Sequence, residues 1–328
     1  MAEEMDEQPS ESIPLRNWQM ANGIVALDCI YEYNEAEQHE MRTAKPWEKD
    51  PHYFKEVKIS AVALLKMVMH ARRGGNLEVI FLFDRLFILN VNCDLFLFSI
   101  SPAYEYMSVF TDLCDSEGKK EKVVGWYHSH PGYGCWLSGI DVATQALNQQ
   151  FQEPWIAIVV DPLRTMSAGK VDIGAFRTYP QGYRPPVEEG PSEYQSIPLS
   201  KVEDFGVHCK QYYSLDVSFF KSELDSHILN ALWNTYWLNT LSSSPLVTNA
   251  GYINNQICDL SLKLRQVKCP VHQSIKQSVQ FVFQAVKDAR TVHCEMSNGL
   301  LAQHLKRALF NRGCCRTETR QFEEEIMT

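Results

Sequence analysis

Residues 125–141 read GWYHSHPGYGCWLSGID, and this run leaves the backbone few choices. VVGWYHSH reads as a strand, and in a strand residues two apart share a face. Val124, Trp126, His128 and His130 therefore point the same way. PGYG demands a turn. Ser138-Gly139-Ile140-Asp141 then opens DVATQALNQQF as a helix, with the S-x-x-D spacing of a capping box. Two imidazoles thus leave a strand end close to a carboxylate in the first turn of a helix.

The rest of the chain alternates strands with helices, which implies an α/β domain. In ISAVALLKMVMHARRGG, Ala61, Leu64, Leu65, Val68 and Met69 make one helical face, with Ser60 as N-cap and Gly74-Gly75 as stop. WIAIVVD (155–161), GKVDIGAFRTY and YYSLDVSFF read as strands. In the last, Tyr213, Leu215, Val217 and Phe219 share a face. Residues 180–201 carry five prolines and two glycines and read as a long loop or insertion. Beyond them the spacing is helical, with Leu224, Ile228, Ala231 and Leu232 as a stripe.

Composition narrows the function. The net charge of −9 over 328 residues argues against nucleic-acid binding, which wants a basic footprint. The acidic start, MAEEMDEQPSES, carries no apolar leader, so the ten cysteines read as reduced thiols and the expected setting is cytoplasm and nucleus. Residues 79–100 are strongly apolar, but Asp84, Arg85 and Asp94 interrupt them. Each charge costs about 2.5–3.5 kcal/mol at mid-bilayer, so this segment is read as buried strand, with no membrane partner.

The quoted residues have a purely structural account: Ser138 and Asp141 cap a helix, and His128 is a hydrogen-bonded core histidine. They also have a chemical one. A catalytic zinc takes three protein ligands and leaves one position open. His128, His130 and Asp141 supply a His₂Asp set, and zinc acidifies water enough for attack at neutral pH. Ser138 lies within reach of an oxyanion.

GWYHSHPGYGCWLSGID closely resembles the JAMM metalloprotease motif of MPN domains, E…H-S-H-P…S-x-x-D. AKPWEKDPHYFK, AYEYM, GAFRTYPQGYRPP, SEYQSIPL and FGVHCKQYYSL resemble one branch of it, the subunit-five family of the COP9 signalosome. The resemblance runs from about residue 28 to 265. It implies an α/β MPN domain with a mixed sheet flanked by helices, followed by a C-terminal helical region. The expected division is a partly disordered lead-in (1–50), the catalytic domain (51–258) and a helical assembly region with a tail (259–328). By resemblance, His128, His130 and Asp141 hold one zinc ion per chain. Glu78, in GGNLEV, activates the water, and Ser138 steadies the tetrahedral intermediate. The implied reaction is isopeptide hydrolysis between a ubiquitin-like modifier and a lysine of a neddylated cullin. The implied partners are other signalosome subunits: an MPN heterodimer partner and the members of a C-terminal helical bundle.

Over residues 80–103 the family pattern lapses, then resumes at AYEYM. Glycines of the family's hairpin are missing there, which points to a shifted reading of the gene, testable by sequencing the transcript. It also keeps a rival open, a catalytically inactive MPN scaffold. A second rival is a deubiquitinase of the proteasome-lid type, against which the flanking motifs argue. Cys135 is read as packing. Cys269, His272, His293, Cys294, Cys314 and Cys315 fit no standard finger spacing, so no second metal site is expected.

Overall fold

The computed structural model describes residues 13–27, 35–84, 116, 123–183, 185, 196–242, 250–267 and 275–310. The chain divides into two compact units, residues 1–164 with 170–234, and residues 165–169 with 235–328. The first unit opens with α1 (Ile13–Asn22), β1 (Val25–Ala26), α2 (Glu35–Ala44), β2 (Glu56–Ser60) and α3 (Ala61–Gly74). It continues through β3 (Ile80–Asp84), β4 (Val123–Ser129), α4 (Gly139–Phe151) and β5 (Ile156–Asp161). After α5 (Pro162–Ala168) come β6 (Asp172–Thr178), α6 (Val202–His208), β7 (Tyr212–Lys221) and α7 (Glu223–Ser242). Helices α8 (Ala250–Val267) and α9 (Ile275–Phe310) end the described chain.

All seven strands join one mixed sheet in the order β1-β7-β6-β5-β4-β3, with β2 also on β7. β4 runs parallel to β5, and β1 and β2 run parallel to β7; the other pairs are antiparallel. The fold is therefore the mixed α/β sheet expected from the sequence, with a helical C-terminal region.

Every residue of β5 is buried, because the sheet is covered on both faces. On one face Trp126, Trp155, Ala157, Val159 and Phe176 pack with Val142 of α4. On the other, Tyr127 bonds through its hydroxyl to His70 Nδ1 of α3 at 2.6 Å. Ser60 caps α3 by accepting from Val62 N at 3.2 Å, and Gly75 ends it at φ 62°. Gln145, fully buried on α4, ties that helix to the sheet. Its Oε1 accepts from Trp126 Nε1 at 2.9 Å and its Nε2 donates to Trp155 O at 2.9 Å.

The lead-in expected over residues 1–50 contributes to the sheet itself. Leu15 is fully buried, Asn22 Oδ1 accepts from Val171 N at 2.9 Å, and Val25 pairs with Phe220. The expected boundary at 258/259 falls inside α8, whereas the compact units divide at Asn234/Thr235. The expected stripe on α7 is displaced. Leu224 is 54% exposed, and the buried positions are Asp225, Leu229 and Trp233. Capping turns the helix this way: Asp225 Oδ2 accepts from Ser222 N at 3.1 Å and from Ser60 Oγ at 3.3 Å, which draws Asp225 inward.

In the second unit α8 and α9 pack together, burying Tyr252, Ala285 and Val292. Lys263 sits between Asp259 and Asp288, each at 2.8 Å. No described helix is long and apolar enough to cross a membrane. Of the apolar stretch 79–100, Ile80–Asp84 forms a strand as expected, while 85–100 lies outside the described residues. So does 86–103 of the segment where the family pattern lapses, together with Cys269, His272, Cys314 and Cys315.

Candidate metal centre

The site forms where β4 ends. Strand alternation puts Trp126, His128 and His130 on the face covered by α4, as the sequence predicts. The Trp126 and His128 rings stack at 4.6 Å with an interplanar angle of 14°. His130 stacks on Tyr133 at 4.4 Å and meets Trp136 edge-on at 5.5 Å. Both histidines are almost wholly buried, at 1% and 2% exposure.

Asp141 arrives from the start of α4. Ser138 and Asp141 form the capping box: Ser138 Oγ accepts from Asp141 N at 3.3 Å, and Asp141 Oδ2 accepts from Ser138 N at 2.9 Å. The same Oδ2 accepts from Ser138 Oγ at 2.6 Å and faces both imidazoles. It lies 3.4 Å from His128 Nε2 and 3.6 Å from His130 Nε2, and the two Nε2 atoms lie 2.9 Å apart. The capping role and the ligand role therefore coexist in one carboxylate.

This donor set fits zinc. Ligand atoms bound at about 2.0–2.1 Å around a tetrahedral centre stand roughly 3.3 Å apart, and the three separations bracket that spacing. The tautomer fits too. His130 Nδ1 lies 3.0 Å from Gly134 O, a carbonyl that can only accept, so Nδ1 carries the proton and Nε2 offers its lone pair. His128, His130 and Asp141 are the metal-capable cluster found among the described residues.

Electrostatics keep the ligands in their binding forms. Burial lowers the pKa of His130 and favours the neutral ring. Burial pushes the Asp141 carboxyl up, but the charges and hydrogen bonds of His128 and His130 outweigh it and hold it well below the usual carboxylate range. Burial pushes the Cys135 thiol well up, so this cysteine stays protonated and packs, as expected. His293 and Cys294 are exposed on α9.

Glu78 precedes β3, which pairs antiparallel with β4 in the register Ile80–His128. Ser129 N donates to Val79 O at 2.9 Å, and Val79 N donates to Ser129 Oγ at 2.9 Å. Two residues back from Ile80 is two residues on from His128, so Glu78 stands opposite His130 on the same face. Its carboxylate is exposed and accepts from the Tyr133 hydroxyl. Burial and that carboxylate push the Tyr133 phenol pKa up, so it remains a donor. The structure thus brings all five sequence-predicted residues to one place.

Three contributors escaped sequence reasoning. Tyr133 links the His130 ring to Glu78. Gln145 anchors Trp126, on which His128 stacks. Asp161, fully buried at the end of β5, accepts from Gly132 N at 3.0 Å and from Gly134 N at 2.9 Å. The signal for Asp161 was legible as Asp-Pro, an N-cap with proline at the first helical position of α5. Its reach back to residues 132–134 is tertiary and left no local trace.

Two family models match the chain: the JAB1/Mov34/MPN/PAD-1 ubiquitin protease family over residues 97–154, and the Cop9 signalosome subunit 5 C-terminal domain over residues 242–311. The COP9 signalosome complex subunit 5 of Caenorhabditis elegans is 58% identical over 319 residues, covering 93% of this chain and 86% of the relative. The chain belongs to the COP9 signalosome subunit 5 family. The subunit 5 proteins of Drosophila melanogaster and Dictyostelium discoideum are 52% and 51% identical, each covering 96% of the relative and 90% and 92% of this chain. Both the MPN domain and the C-terminal domain expected of a subunit 5 protein are present, and the metal-capable cluster lies inside the MPN match.

Proposed function

We propose that the chain is the zinc-dependent isopeptidase subunit of a COP9 signalosome. It hydrolyses the isopeptide bond between a ubiquitin-like modifier and a cullin lysine, and so regulates cullin-RING ubiquitin ligases in cytoplasm and nucleus. One observation carries the reading: two buried Nε2 atoms and a carboxylate oxygen converge within 3.6 Å of one another, with a second carboxylate on the neighbouring strand lead-in.

Zinc held by His128, His130 and Asp141 supplies Lewis acidity, polarising the scissile carbonyl and acidifying water. The chain's own groups do the rest. Glu78, exposed beside the cluster, takes the proton of the attacking water on its carboxylate and returns it to the departing lysine amine. Tyr133 holds that carboxylate through its hydroxyl. Ser138 brings an O–H next to Asp141, where it is a donor for the oxyanion. The buried rings of Trp126 and Trp136 exclude water from behind the histidines. The named subunit 5 relatives support membership of the complex, with other signalosome subunits as partners.

The test assembles the chain with its partner subunits and assays cleavage of a neddylated cullin, with zinc quantified in the same sample. Cleavage with one zinc per chain is expected. A loaded, assembled chain that leaves the cullin modified overturns the reading in favour of a scaffold. Cleavage of ubiquitin chains in place of the cullin conjugate favours the proteasome-lid type of activity.

A further inference from the structure

We propose that Asp161 is the positioning residue of this metal centre, fixing the ring of His130 and the side chain of Tyr133 before any metal arrives. The inference rests on the reading of His128, His130 and Asp141 as metal ligands.

Asp161 ends β5 on the same sheet face as Val159, one strand over from the histidines. The β4–β5 register pairs His128 with Val159, and His130 N prolongs the ladder by donating to Val160 O at 3.0 Å. That register places Asp161 beside His130. Its carboxylate is fully buried and accepts four backbone N–H groups. Oδ1 takes Gly132 N, Leu163 N and Arg164 N, each at 3.0 Å, and Oδ2 takes Gly134 N at 2.9 Å. Arg164 Nε lies 3.3 Å from Oδ2 and compensates the charge.

Two of those donors belong to the turn after the histidines. Gly132 and Gly134 sit at φ 85° and 88°, a conformation that residues with a side chain rarely adopt. One carboxylate grips both, so the turn cannot slide along the strand end. The grip passes directly to the ligand. The peptide unit whose N–H is held by Asp161 belongs to Gly134, and the carbonyl of Gly134 accepts from His130 Nδ1 at 3.0 Å. That bond sets which nitrogen of His130 faces Asp141. Between the two glycines, Tyr133 lies on the His130 ring and donates to Glu78. Asp161 therefore reaches both a metal ligand and the proposed base through a single turn, without touching either. Outer partners of this kind typically change metal affinity by about 10–100-fold when altered.

The experiment uses the full chain and measures the zinc dissociation constant by competition with a chelator. Asp161→Asn keeps the size of the side chain and one carbonyl oxygen, but turns an NH2 group toward a backbone N–H. Zinc binding is expected to weaken by about 10–100-fold, and the visible spectrum of the cobalt-substituted chain to change. Asp225→Asn serves as the control, altering a buried helix-capping carboxylate bonded to Ser60 and Ser222; it should lower stability and leave zinc affinity unchanged. Wild-type zinc affinity in folded Asp161→Asn overturns the proposal. Absence of zinc binding by the wild type overturns the metal reading instead. Where Asp161→Asn yields no folded chain, hydrogen exchange of the wild type decides. The Gly132 and Gly134 amides are expected to be as protected without zinc as with it. Rapid exchange in the zinc-free chain would show that the metal orders the turn, and would overturn the proposal.

Discussion

His128 Nε2 and His130 Nε2 lie 2.9 Å apart, with Asp141 Oδ2 closing the triangle at 3.4 and 3.6 Å. Two neutral imidazoles share at most one proton at that distance. A cation among them satisfies all three acceptors at once. Replacing His128 with Ala is expected to remove most of the zinc, measured as metal per chain in purified protein. The fold should survive, because an open site contributes less to stability than a closed structural one. Full zinc occupancy in His128→Ala would end the assignment.

Glu78→Gln separates enzyme from scaffold. Glutamine preserves size and the bond to Tyr133 but cannot take a proton. Zinc content should be unchanged, and the rate of cullin deneddylation in the assembled complex should fall by about 10²–10⁴. Equal, measurable rates for the two proteins at equal zinc would remove Glu78 from the mechanism.

Gln145→Ala is expected to cost about 2–4 kcal/mol, because it strands the buried Trp126 N–H and the Trp155 carbonyl and leaves a cavity. Denaturant unfolding of the metal-free chain measures it. A loss below 1 kcal/mol, taken as about the net worth of one hydrogen bond, would mean water replaces the amide.

Gly139 opens α4 against α6. A Cβ there would stand 2.6 Å from His208 Nε2, while Gly139 N donates to Asp204 Oδ1 at 3.2 Å. Gly139→Ala should destabilise by about 1–3 kcal/mol. Adding His208→Ala should recover most of that loss. Equal losses in single and double variants would show that His208 does not set the constraint.

Acid should weaken the metal-free chain. Burial lowers the pKa of both His70 and His130 in the folded state, below the ordinary 6.5. The unfolded chain therefore takes up protons first. The stability these residues contribute is whole above about pH 6.5 and is lost as pH falls toward the folded values. Thermal unfolding at pH 7.5 and 5.5 should show a lower midpoint at the acid end. His70→Gln should shrink the difference. A midpoint unchanged by pH would contradict the burial effect.

Local chemistry made much of this legible. Ser60 and Gly75 bound α3 where cap rules put them, because caps act within one turn. Strand parity alone placed Trp126, His128 and His130 on one face. Glu78 could be joined to them only by resemblance, since the β3–β4 register that sets it opposite His130 is a pairing between distant segments. Asp161 looked like a helix cap and is one, but half of its bonds go to a turn that strand pairing brings near. The α7 stripe was misplaced because Asp225, a charged residue, was not expected to point inward. In each miss the deciding partner lies far along the chain.

β1 and β2 both find their partner in β7, where Val25 meets Phe220 and Glu56 meets Asp216. During synthesis the amino-terminal strands leave the ribosome first and must wait, with their edges open, until Tyr212–Lys221 emerges. The strands around the histidines face no such delay, since β3 through β6 can pair in order as they appear. Open edges are templates for other chains, and non-local pairing is slow. The nascent polypeptide is thus most exposed to aggregation in the interval before β7 arrives, a period in which chaperones have two unpartnered strands to shield.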